Sequence, residues 1–264
     1  MNSILVFSLC ILVSWSPSFA AEKILLTGSS TVAPLIDEIA KQFESQNKNI
    51  RIDIQTGGST RGIIDARRGV SQIGMVSRKL KVNEADLLKF TIALDGIGII
   101  LHTDNPVREL SKQQILAIFK GEITKWSEVG GPDQRIIVVN KAQGRSTLEL
   151  FLKYFKTKSS SIKSHVIIGD NEQGIKTISA HPWSIGYVSI GTAEFNIANG
   201  TPIKILDLEG VKASVENVRS GLYPLSRPLN FVTSKQPIGP IKEFIDYARN
   251  RKEIIKGQYF VPIN

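Results

Sequence analysis

The sequence predicts an α/β fold with a mostly parallel sheet. Short apolar runs, typical of buried strands, alternate along the chain with segments whose apolar residues recur at helical spacing. Several predicted strands lead into loops rich in Gly, Ser and Thr, and these loops open helices. Because ligands of such folds bind beyond the carboxyl ends of the strands, the functional site is expected in these loops.

Residues 1–20 have the pattern of a cleaved secretory signal. An apolar run from Ile4 to Val13 is followed by Pro17 and then by Ser-Phe-Ala at 18–20, a small-x-small cleavage site. The run is too short for a permanent membrane span, and an uncleaved anchor is the alternative.

The single cysteine, Cys10, lies in this segment, so the mature chain has no disulfide. Lipidation of Cys10 is disfavoured because Leu9, rather than a small residue, precedes it. Export without disulfides suits a bacterial periplasm or the cell exterior.

Charge and composition point to an anionic partner. The chain has 264 residues, 42% of them hydrophobic, which suffices for one large domain or two lobes. The formal net charge of +9 lies wholly outside the first 20 residues and is compatible with a small oxyanion, a membrane surface or nucleic acid. Nucleic acid is disfavoured because Lys and Arg are dispersed, and aromatic residues make up only 7% of the chain, without a stacking motif.

The first hydroxyl-rich loop lies between a strand at 24–26 and a helix whose apolar residues recur from Leu35 to Phe43. Pro34 suits the first helical turn. A helix start has unpaired N–H groups and the positive end of the helix dipole, so small side chains let an oxyanion approach the backbone. An ordinary helix cap is the alternative for this loop alone.

Two more strand ends repeat this chemistry. A strand at 50–54 leads into a Gly/Ser/Thr-rich loop at 56–62 and a short helix, and a strand at 72–76 ends at Ser77 and Arg78. The next apolar run, 92–101, contains one carboxylate, Asp95, and glycines that could let the chain cross between lobes. A lone acid is costly to bury without donors, and a turn-capping role is the alternative for it.

A fourth loop follows a strand at 136–139. It covers 140–147 and precedes a helix whose apolar residues run from Leu148 to Phe155, and Ser146 and Glu149 have capping-box spacing. The other predicted elements are a helix at 115–119 with a capping box at 111–114 and a stop at Gly121, strands at 165–168, 185–190 and 229–233, and a helix at 240–250.

The residue patterns argue against an enzyme. His102, His165 and His181 lack metal-ligand spacing, and Ile175 breaks the P-loop-like segment 169–177. No G-x-S-x-G elbow is present, and no serine has an identifiable His and acid partner, although triads assemble in space rather than along the chain. We expect no catalytic residue, no metal and no cofactor.

Six motifs occur in one order along the chain: TGSSTVAPL (27–35), GGST (57–60), IGMVSR (73–78), ALDGI (93–97), DNPV (104–107) and FKGEITKW (119–126). In this order the chain resembles the periplasmic phosphate-binding proteins of ABC importers over nearly the whole mature chain, including IGYVS at 185–189. The resemblance implies a type II periplasmic-binding-protein fold, with two α/β lobes and mixed, mostly parallel sheets around a ligand cleft. It implies lobe 1 from residues 21–98 plus about 193–264, and lobe 2 from 99 to about 192.

The resemblance also implies a set of phosphate-binding residues. The set comprises Ser30, Thr31, Val32 through its backbone N–H, Ser59, Ser77, Arg78, Asp95, Lys141, Arg145, Ser146 and Thr147. The fourth loop departs from the family's usual Gly-Ser-Gly-Thr, often after an arginine, because Gly-Arg-Ser-Thr follows Lys141 here. Arg145 is either a charged donor or directed to solvent. Asp95 is the candidate acceptor for the phosphate proton, which would exclude sulfate because sulfate has no proton to donate.

The implied function is high-affinity binding of inorganic phosphate in the periplasm or at the cell exterior, with delivery to an ABC-type permease in the inner membrane. A monomer without enzymatic activity is expected. The alternatives are a receptor for sulfate, molybdate or tungstate, a secreted phosphoester hydrolase, and a phosphate-sensing or adhesion module on the same fold.

Overall fold

A computed structural model describes residues 21–263, so the predicted signal segment with Cys10 lies outside the described residues. The first half of the chain alternates strands and helices, as predicted. Its elements are β1 (Glu22–Gly28), α1 (Ala33–Gln46), β2 (Ile50–Thr56), α2 (Ser59–Arg68), β3 (Ile73–Val76) and the long β4 (Leu88–His102). Within residues 21–263, no helix is both long and apolar enough to cross a membrane.

The second half contains a further alternating series and a C-terminal helical segment. Its elements are α3 (Lys112–Lys120), β5 (Ile137–Lys141), α4 (Ser146–Tyr154), β6 (Val166–Ile168), α5 (Asn171–Ala180), β7 (Ser184–Ser189), α6 (Ile190–Ala198), β8 (Ile203–Leu206), α7 (Val215–Arg219), β9 (Ser226–Thr233), α8 (Gly239–Arg249), α9 (Lys252–Gly257) and β10 (Val261–Pro262). Short 3-10 turns lie at 82–84, 126–129 and 159–161.

The strands form one mixed sheet in the order β2-β1-β3-β9-β4-β7-β5-β6, with β8 and β10 both paired to β4. β1 is parallel to β2 and β3, and β5 is parallel to β6 and β7. The carboxyl ends of each parallel set therefore lie at one edge of the sheet, and the hydroxyl-rich loops follow from these edges. The predicted α/β fold is confirmed.

β4 joins the two halves of the molecule. Its residues from Leu88 to Gly96 pair with β9, whereas its residues from Ile97 to His102 pair with β7 and β8. The predicted crossing is therefore one continuous strand, and Asp95 lies next to the point where its partners change. The strand carries the chain from lobe 1, around β1 to β3, into lobe 2, around β5 to β7.

Each lobe has its own hydrophobic core. The core of lobe 1 includes Leu26, Ile36, Phe43, Phe231 and Phe244. The core of lobe 2 includes Phe119, Trp126, Phe151, Tyr187, Leu206, Tyr223 and Leu225. Leu206, Tyr223 and Leu225 belong to the second core, and β8 pairs with the second part of β4. This packing favours β9, rather than a position near residue 193, as the point where the chain returns to lobe 1.

The two capping boxes expected from the sequence have different outcomes. The box before α3 forms, because the Gln114 N–H donates to Ser111 Oγ at 3.1 Å and the Ser111 N–H donates to Gln114 Oε1 at 2.8 Å. The capping box expected before α4 does not form. Arg145 is the N-cap, Ser146 is the first helical residue, and both members of the expected box have partners in lobe 1.

Candidate anion-binding site

Hydroxyl groups from both lobes meet at Ser77, directly after β3. Ser29 Oγ donates to Ser77 Oγ at 2.8 Å, and the hydroxyls of Ser77 and Ser146 are 2.6 Å apart. Ser59 Oγ accepts from the Ser77 backbone N–H at 3.0 Å. All four serines are at most 3% exposed, so a cluster of buried hydroxyls lies between the lobes.

Helix starts surround this hydroxyl cluster. Ser59 is the first residue of α2 and Ser146 the first residue of α4, and α1 begins four residues after Ser29. The first turn of a helix leaves backbone N–H groups without partners inside the helix and carries positive potential. The starts of the three helices therefore bring positive potential to the hydroxyl cluster.

Glycines in the loops allow the backbone to come this close. Gly28 has a φ of +129°, and a Cβ at this position would lie 2.3 Å from the Met75 carbonyl oxygen. Its own carbonyl accepts from the N–H groups of Gly57 and Gly58 at 2.9 and 2.8 Å, which ties the first loop to the second. A side chain at Gly28 would separate the strand ends that carry Ser29 and Ser77.

Arg227 on β9 crosses the cleft and is the main residue that the sequence did not reveal. Its Nε and Nη2 donate to Asp95 Oδ2 at 3.0 and 2.8 Å. Its Nη1 donates to Thr147 Oγ1 at 3.0 Å and its Nη2 to Thr31 Oγ1 at 3.3 Å. The guanidinium thus contacts both lobes, and its position follows from the antiparallel register that puts Arg227 opposite Asp95. No pattern in the local sequence signals that register.

Lys141 supplies a second buried cation at the end of β5. Its Nζ donates to the Asp170 carbonyl oxygen at 2.6 Å and to Asn171 Oδ1 at 3.1 Å. Burial lowers the pKa of Lys141 to about 7; the nearby Asp170 opposes this shift, and the positive charges of Arg227 and Arg145 add to it. Asn171, also absent from the sequence-based set, donates through Nδ2 to Thr31 Oγ1 at 3.2 Å.

Arg145 lies between loops of the two lobes instead of extending into solvent. A Cβ built on Gly58 would come within 3.0 Å of Arg145 Cδ, and one on Gly169 within 3.2 Å of its Nη2. Its Nη1 is buried and has no hydrogen-bond partner within the described part of the chain. A buried guanidinium nitrogen without a partner indicates a place for an acceptor supplied by a ligand.

Two residues of the expected phosphate-binding set, Arg78 and Ser30, lie outside the hydroxyl cluster. Arg78 donates from Nη1 and Nη2 to the two carboxylate oxygens of Glu84 at 2.6 and 2.8 Å, and its Nε lies 3.2 Å from Glu149 Oε2 on α4, so carboxylates of both lobes engage its guanidinium. Ser30 is half-buried and lines a neighbouring cavity of about 360 Å³ with Thr56 and Asp170. Ser29, one residue earlier, takes the place expected for Ser30 in the hydroxyl cluster.

The other predicted residues surround the cleft. Thr31, Ser59, Ser77, Asp95, Lys141, Ser146 and Thr147 are all buried there. The Val32 side chain packs in the core of lobe 1, and its N–H lies 3.4 Å from Ser29 Oγ. Hydroxyls, helix starts and cations in a buried space can replace the water shell of a small oxyanion. The described residues contain no group of three or more His, Cys, Asp or Glu side chains that could hold a metal.

Two α/β lobes around a buried polar cleft define the class of periplasmic binding proteins, which close around their ligands. Residues 16–251 match the family model of a PBP superfamily domain, and the chain belongs to that superfamily. The chain is 29% identical over 252 residues to the phosphate-binding protein PstS of Bacillus subtilis, covering 92% of this chain and 82% of that protein.

Solved structures give the same result. A putative phosphate ABC transporter substrate-binding protein from Clostridium perfringens, with bound phosphate, superimposes with a TM-score of 0.84 at 30% identity. The alignment covers 92% of this chain and all of that one. An ABC-type phosphate transport receptor from Vibrio cholerae has a TM-score of 0.72 at 29% identity, over 90% of this chain and 99% of that chain. The resemblance indicated by the sequence motifs is confirmed.

Proposed function

We propose that the protein binds inorganic phosphate between its lobes and delivers it to the membrane subunits of an ABC transporter. The observation that carries the proposal is the convergence of buried hydroxyls from both lobes on Ser77, together with the cations Lys141 and Arg145 on the loop that leads to Ser146. The names of the relatives from Bacillus subtilis and Clostridium perfringens support phosphate as the ligand.

The phosphate would contact groups of both lobes. We propose Thr31, Ser59 and Ser77 with the Val32 N–H from lobe 1, and Ser146 and Thr147 from lobe 2, together with Ser29, Asn171 and Arg227. Hydroxyl and N–H donors stabilise the negative charge of a phosphate without a large excess of positive charge, and charge-assisted hydrogen bonds of this kind are short and strong. Contacts to both lobes make ligand binding favour the closed arrangement of the lobes.

Calorimetry on purified protein, freed of bound anions by unfolding and refolding, tests the proposal. Phosphate is expected to bind with a stoichiometry of about one. Ser77→Ala removes the hydroxyl that contacts both Ser29 and Ser146, and its affinity is expected to fall by about tenfold or more, as for the loss of a hydrogen bond to a charged group. Absence of phosphate binding by folded protein would contradict the proposal.

Ser45→Ala is a matched control for Ser77→Ala. Ser45 lies on the exposed side of α1 and donates to the Gln42 carbonyl oxygen within its own helix. The substitution removes the same hydroxyl from a place remote from the cleft, so its phosphate affinity is expected to equal that of the unaltered protein. Equal losses in both variants would show that the effect of Ser77→Ala is not specific to the cleft.

The cellular context is also part of the proposal. Export through the predicted signal at 1–20 would place the protein in the periplasm or at the cell exterior, where it would meet the permease as a monomer. The hydroxyl cluster contains no paired nucleophile and base of the Ser-His type, which favours binding without turnover. Turnover of a chromogenic phosphate ester that persists through purification and is lost in Ser77→Ala would contradict a purely receptor role.

A further inference from the structure

The Glu149 carboxylate belongs to lobe 2 but has its partners in lobe 1. Glu149 lies in the first turn of α4, which begins at Ser146. Its Oε1 accepts from Thr60 Oγ1 at 3.3 Å, and its Oε2 lies 2.8 Å from Lys81 Nζ. Thr60 belongs to the first turn of α2, and Lys81 to the segment that follows β3. One side chain thus connects two separate segments of lobe 1 to lobe 2.

The loops that begin α2 and α4 also touch each other beside this carboxylate. The Thr60 N–H donates to the Gly144 carbonyl oxygen at 3.4 Å, and a Cβ built on Gly58 would lie 2.6 Å from the same oxygen. Ser59 and Ser146, the first residues of the two helices, belong to the hydroxyl cluster. The contacts of the carboxylate therefore lie directly beside the hydroxyl cluster, yet they involve none of its four serines.

Lys81 is held in lobe 1 by its backbone. Its N–H donates to Glu84 Oε2 at 2.9 Å, at the start of the 3-10 turn at 82–84. Arg78 also approaches Glu149, but its two terminal nitrogens donate to Glu84, so its charge is balanced within lobe 1. The carboxylate partner of Lys81 Nζ is Glu149, across the lobe boundary. The ion pair that depends on the approach of the two lobes is therefore Lys81–Glu149.

Solvent reaches the Lys81–Glu149 ion pair. The two side chains are 51% and 27% exposed, and both line a cavity of about 680 Å³ between the lobes. Salt screens an ion pair in such a position, and its contribution is modest compared with that of a buried pair. When the lobes separate, water hydrates both charges individually. The ion pair therefore stabilises the closed arrangement of the lobes relative to the open one.

We propose that Glu149 is a latch residue: through Lys81 and Thr60 it holds the lobes closed and slows the release of the bound anion without contacting that anion. This inference rests on the proposed phosphate function. An anion enters while the lobes are open, but it leaves only after closed lobes have opened again. Loss of the latch should therefore raise the dissociation rate and leave the association rate nearly unchanged. The apparent affinity falls because the closed arrangement is less populated.

The release of radiolabelled phosphate into an excess of unlabelled phosphate tests the inference. Glu149→Gln removes the charge but keeps an oxygen that can accept from Thr60. Its dissociation rate is expected to rise at least about threefold, as for the loss of a partly exposed ion pair. The rise should shrink at high salt, which already screens the ion pair in the unaltered protein. The rate is measured only on molecules that hold phosphate, so a partial loss of folded protein does not affect it.

Two results would overturn the latch. One is a rise smaller than about threefold at low salt, and the other is a rise of the same size at low and high salt. Either result leaves phosphate binding itself intact. Failure of the unaltered protein to bind phosphate rejects the proposed function instead.

Lys81→Gln tests the partner of the latch residue. If the two charges act as one ion pair, the variant that combines Lys81→Gln with Glu149→Gln should release phosphate within about twofold of the rate of Glu149→Gln alone. The reason is that the first substitution has already removed the ion pair. Rates that multiply in the double variant would show that the two charges act separately, and would overturn the latch.

Asp133→Asn is the matched control. Asp133 pairs with Lys125 at 2.9 Å, but both residues belong to lobe 2. Loss of this ion pair removes a carboxylate charge without affecting a contact between the lobes, so the release of phosphate should keep its unaltered rate. An equal rise in Asp133→Asn and Glu149→Gln would show that the effect does not depend on the lobe boundary, and would also overturn the inference.

Discussion

The guanidinium of Arg227 donates two hydrogen bonds to a single carboxylate oxygen of Asp95, although the two residues are 132 positions apart in the sequence. Both side chains are 1% exposed. Asp95 lies on the strand that joins the lobes, and Arg227 reaches threonines of both lobes. The ion pair therefore connects the packing of the β4–β9 strand pair to the geometry of the cleft.

Removal of either member of this pair is expected to destabilise the protein strongly. Asp95→Asn leaves a buried arginine charge without its carboxylate, and Arg227→Met leaves a buried aspartate, so each should lower the free energy of unfolding by about 3–5 kcal/mol. The double variant should lose much less unfolding free energy than the sum of the losses in the two single variants. Urea unfolding of the four proteins measures this cycle, and additivity within about 0.5 kcal/mol would show that the two side chains are not coupled.

The exposed pair Lys242–Asp246 is a suitable control for that cycle. Its side chains are 59% and 46% exposed, at a similar N–O distance of 2.6 Å. Because water already solvates both charges, Asp246→Asn should change the free energy of unfolding by no more than about 0.5 kcal/mol.

Arg78→Gln is expected to reduce stability without removing phosphate binding. Both Arg78 and Glu84 are buried, and the substitution leaves the Glu84 carboxylate without its two strongest donors, at a cost of about 3 kcal/mol. Burial tends to raise the pKa of Glu84, yet its hydrogen bonds from Arg78 and from the Lys81 backbone leave that pKa below its ordinary value. Phosphate affinity should change by less than about twofold.

Arg67 provides the matched control for Arg78. It makes a similar two-point contact with Asp86, at 2.7 Å from Nε and 2.7 Å from Nη2, but the two side chains are 39% and 52% exposed. Arg67→Gln should therefore cost less than about 1 kcal/mol. A large loss of phosphate affinity in Arg78→Gln at unchanged stability would restore the direct contact that the sequence motif suggested.

Lys141 is expected to make the stability of the anion-free protein depend on pH. Its pKa is about 7 in the folded protein and 10.5 ordinarily, so between these values the unfolded chain binds more protons than the folded one. Stability from this group therefore rises with pH, by up to about 1.4 kcal/mol per pH unit.

The difference in unfolding free energy between the unaltered protein and Lys141→Met isolates this effect. We expect the difference to grow in favour of the unaltered protein from about pH 7.5 to about pH 9.5. Urea unfolding across this range measures it. Parallel curves for the two proteins would show that Lys141 keeps an ordinary pKa in the folded state.

Gly62→Ala should disturb the packing of α2 against the sheet and therefore the position of Ser59, its first residue. A Cβ at Gly62 would lie 2.7 Å from the Met75 carbonyl oxygen and 2.8 Å from that of Thr27. The helix must move away from the sheet, which costs about 1–3 kcal/mol, and thermal unfolding should occur several degrees lower. Phosphate affinity should fall as well. Gly257→Ala is the control, because a Cβ there meets no atom within 4 Å. Equal melting temperatures for the two variants would contradict this packing.

Much of the fold and part of the site could be predicted because the relevant signals are local. The strands at 24–26 and 50–54 and the helix after Pro34 follow from apolar spacing over a few residues. The family resemblance implied Ser59, Ser77 and Ser146 as site residues, and each of them lies at a strand end or a helix start. Within each lobe such positions meet at one edge of a parallel set of strands, whereas the contact between Ser77 and Ser146 depends on how the two sets come together.

Side-chain direction within the loops depends on backbone geometry that the sequence does not display. Gly28, with its positive φ, turns the chain so that Ser29 rather than Ser30 enters the hydroxyl cluster. Arg78 follows Ser77 directly, but its guanidinium turns away from the hydroxyl cluster and pairs with the carboxylates of Glu84 and Glu149. The expected capping role of Ser146 fails because Ser146 is the first residue of α4, after the N-cap Arg145, and its hydroxyl contacts Ser77.

The sequence by itself determined the α/β class, the order of the hydroxyl-rich loops and the resemblance to phosphate-binding proteins, because these depend on neighbours along the chain. Only the tertiary structure decided the partners of Asp95. The antiparallel register of β4 and β9 brings Arg227 opposite it, and the start of α6 adds the Ser189 hydroxyl and the Gly191 N–H. A carboxylate that appears free in the sequence is therefore hydrogen-bonded through both of its oxygens once distant strands pair.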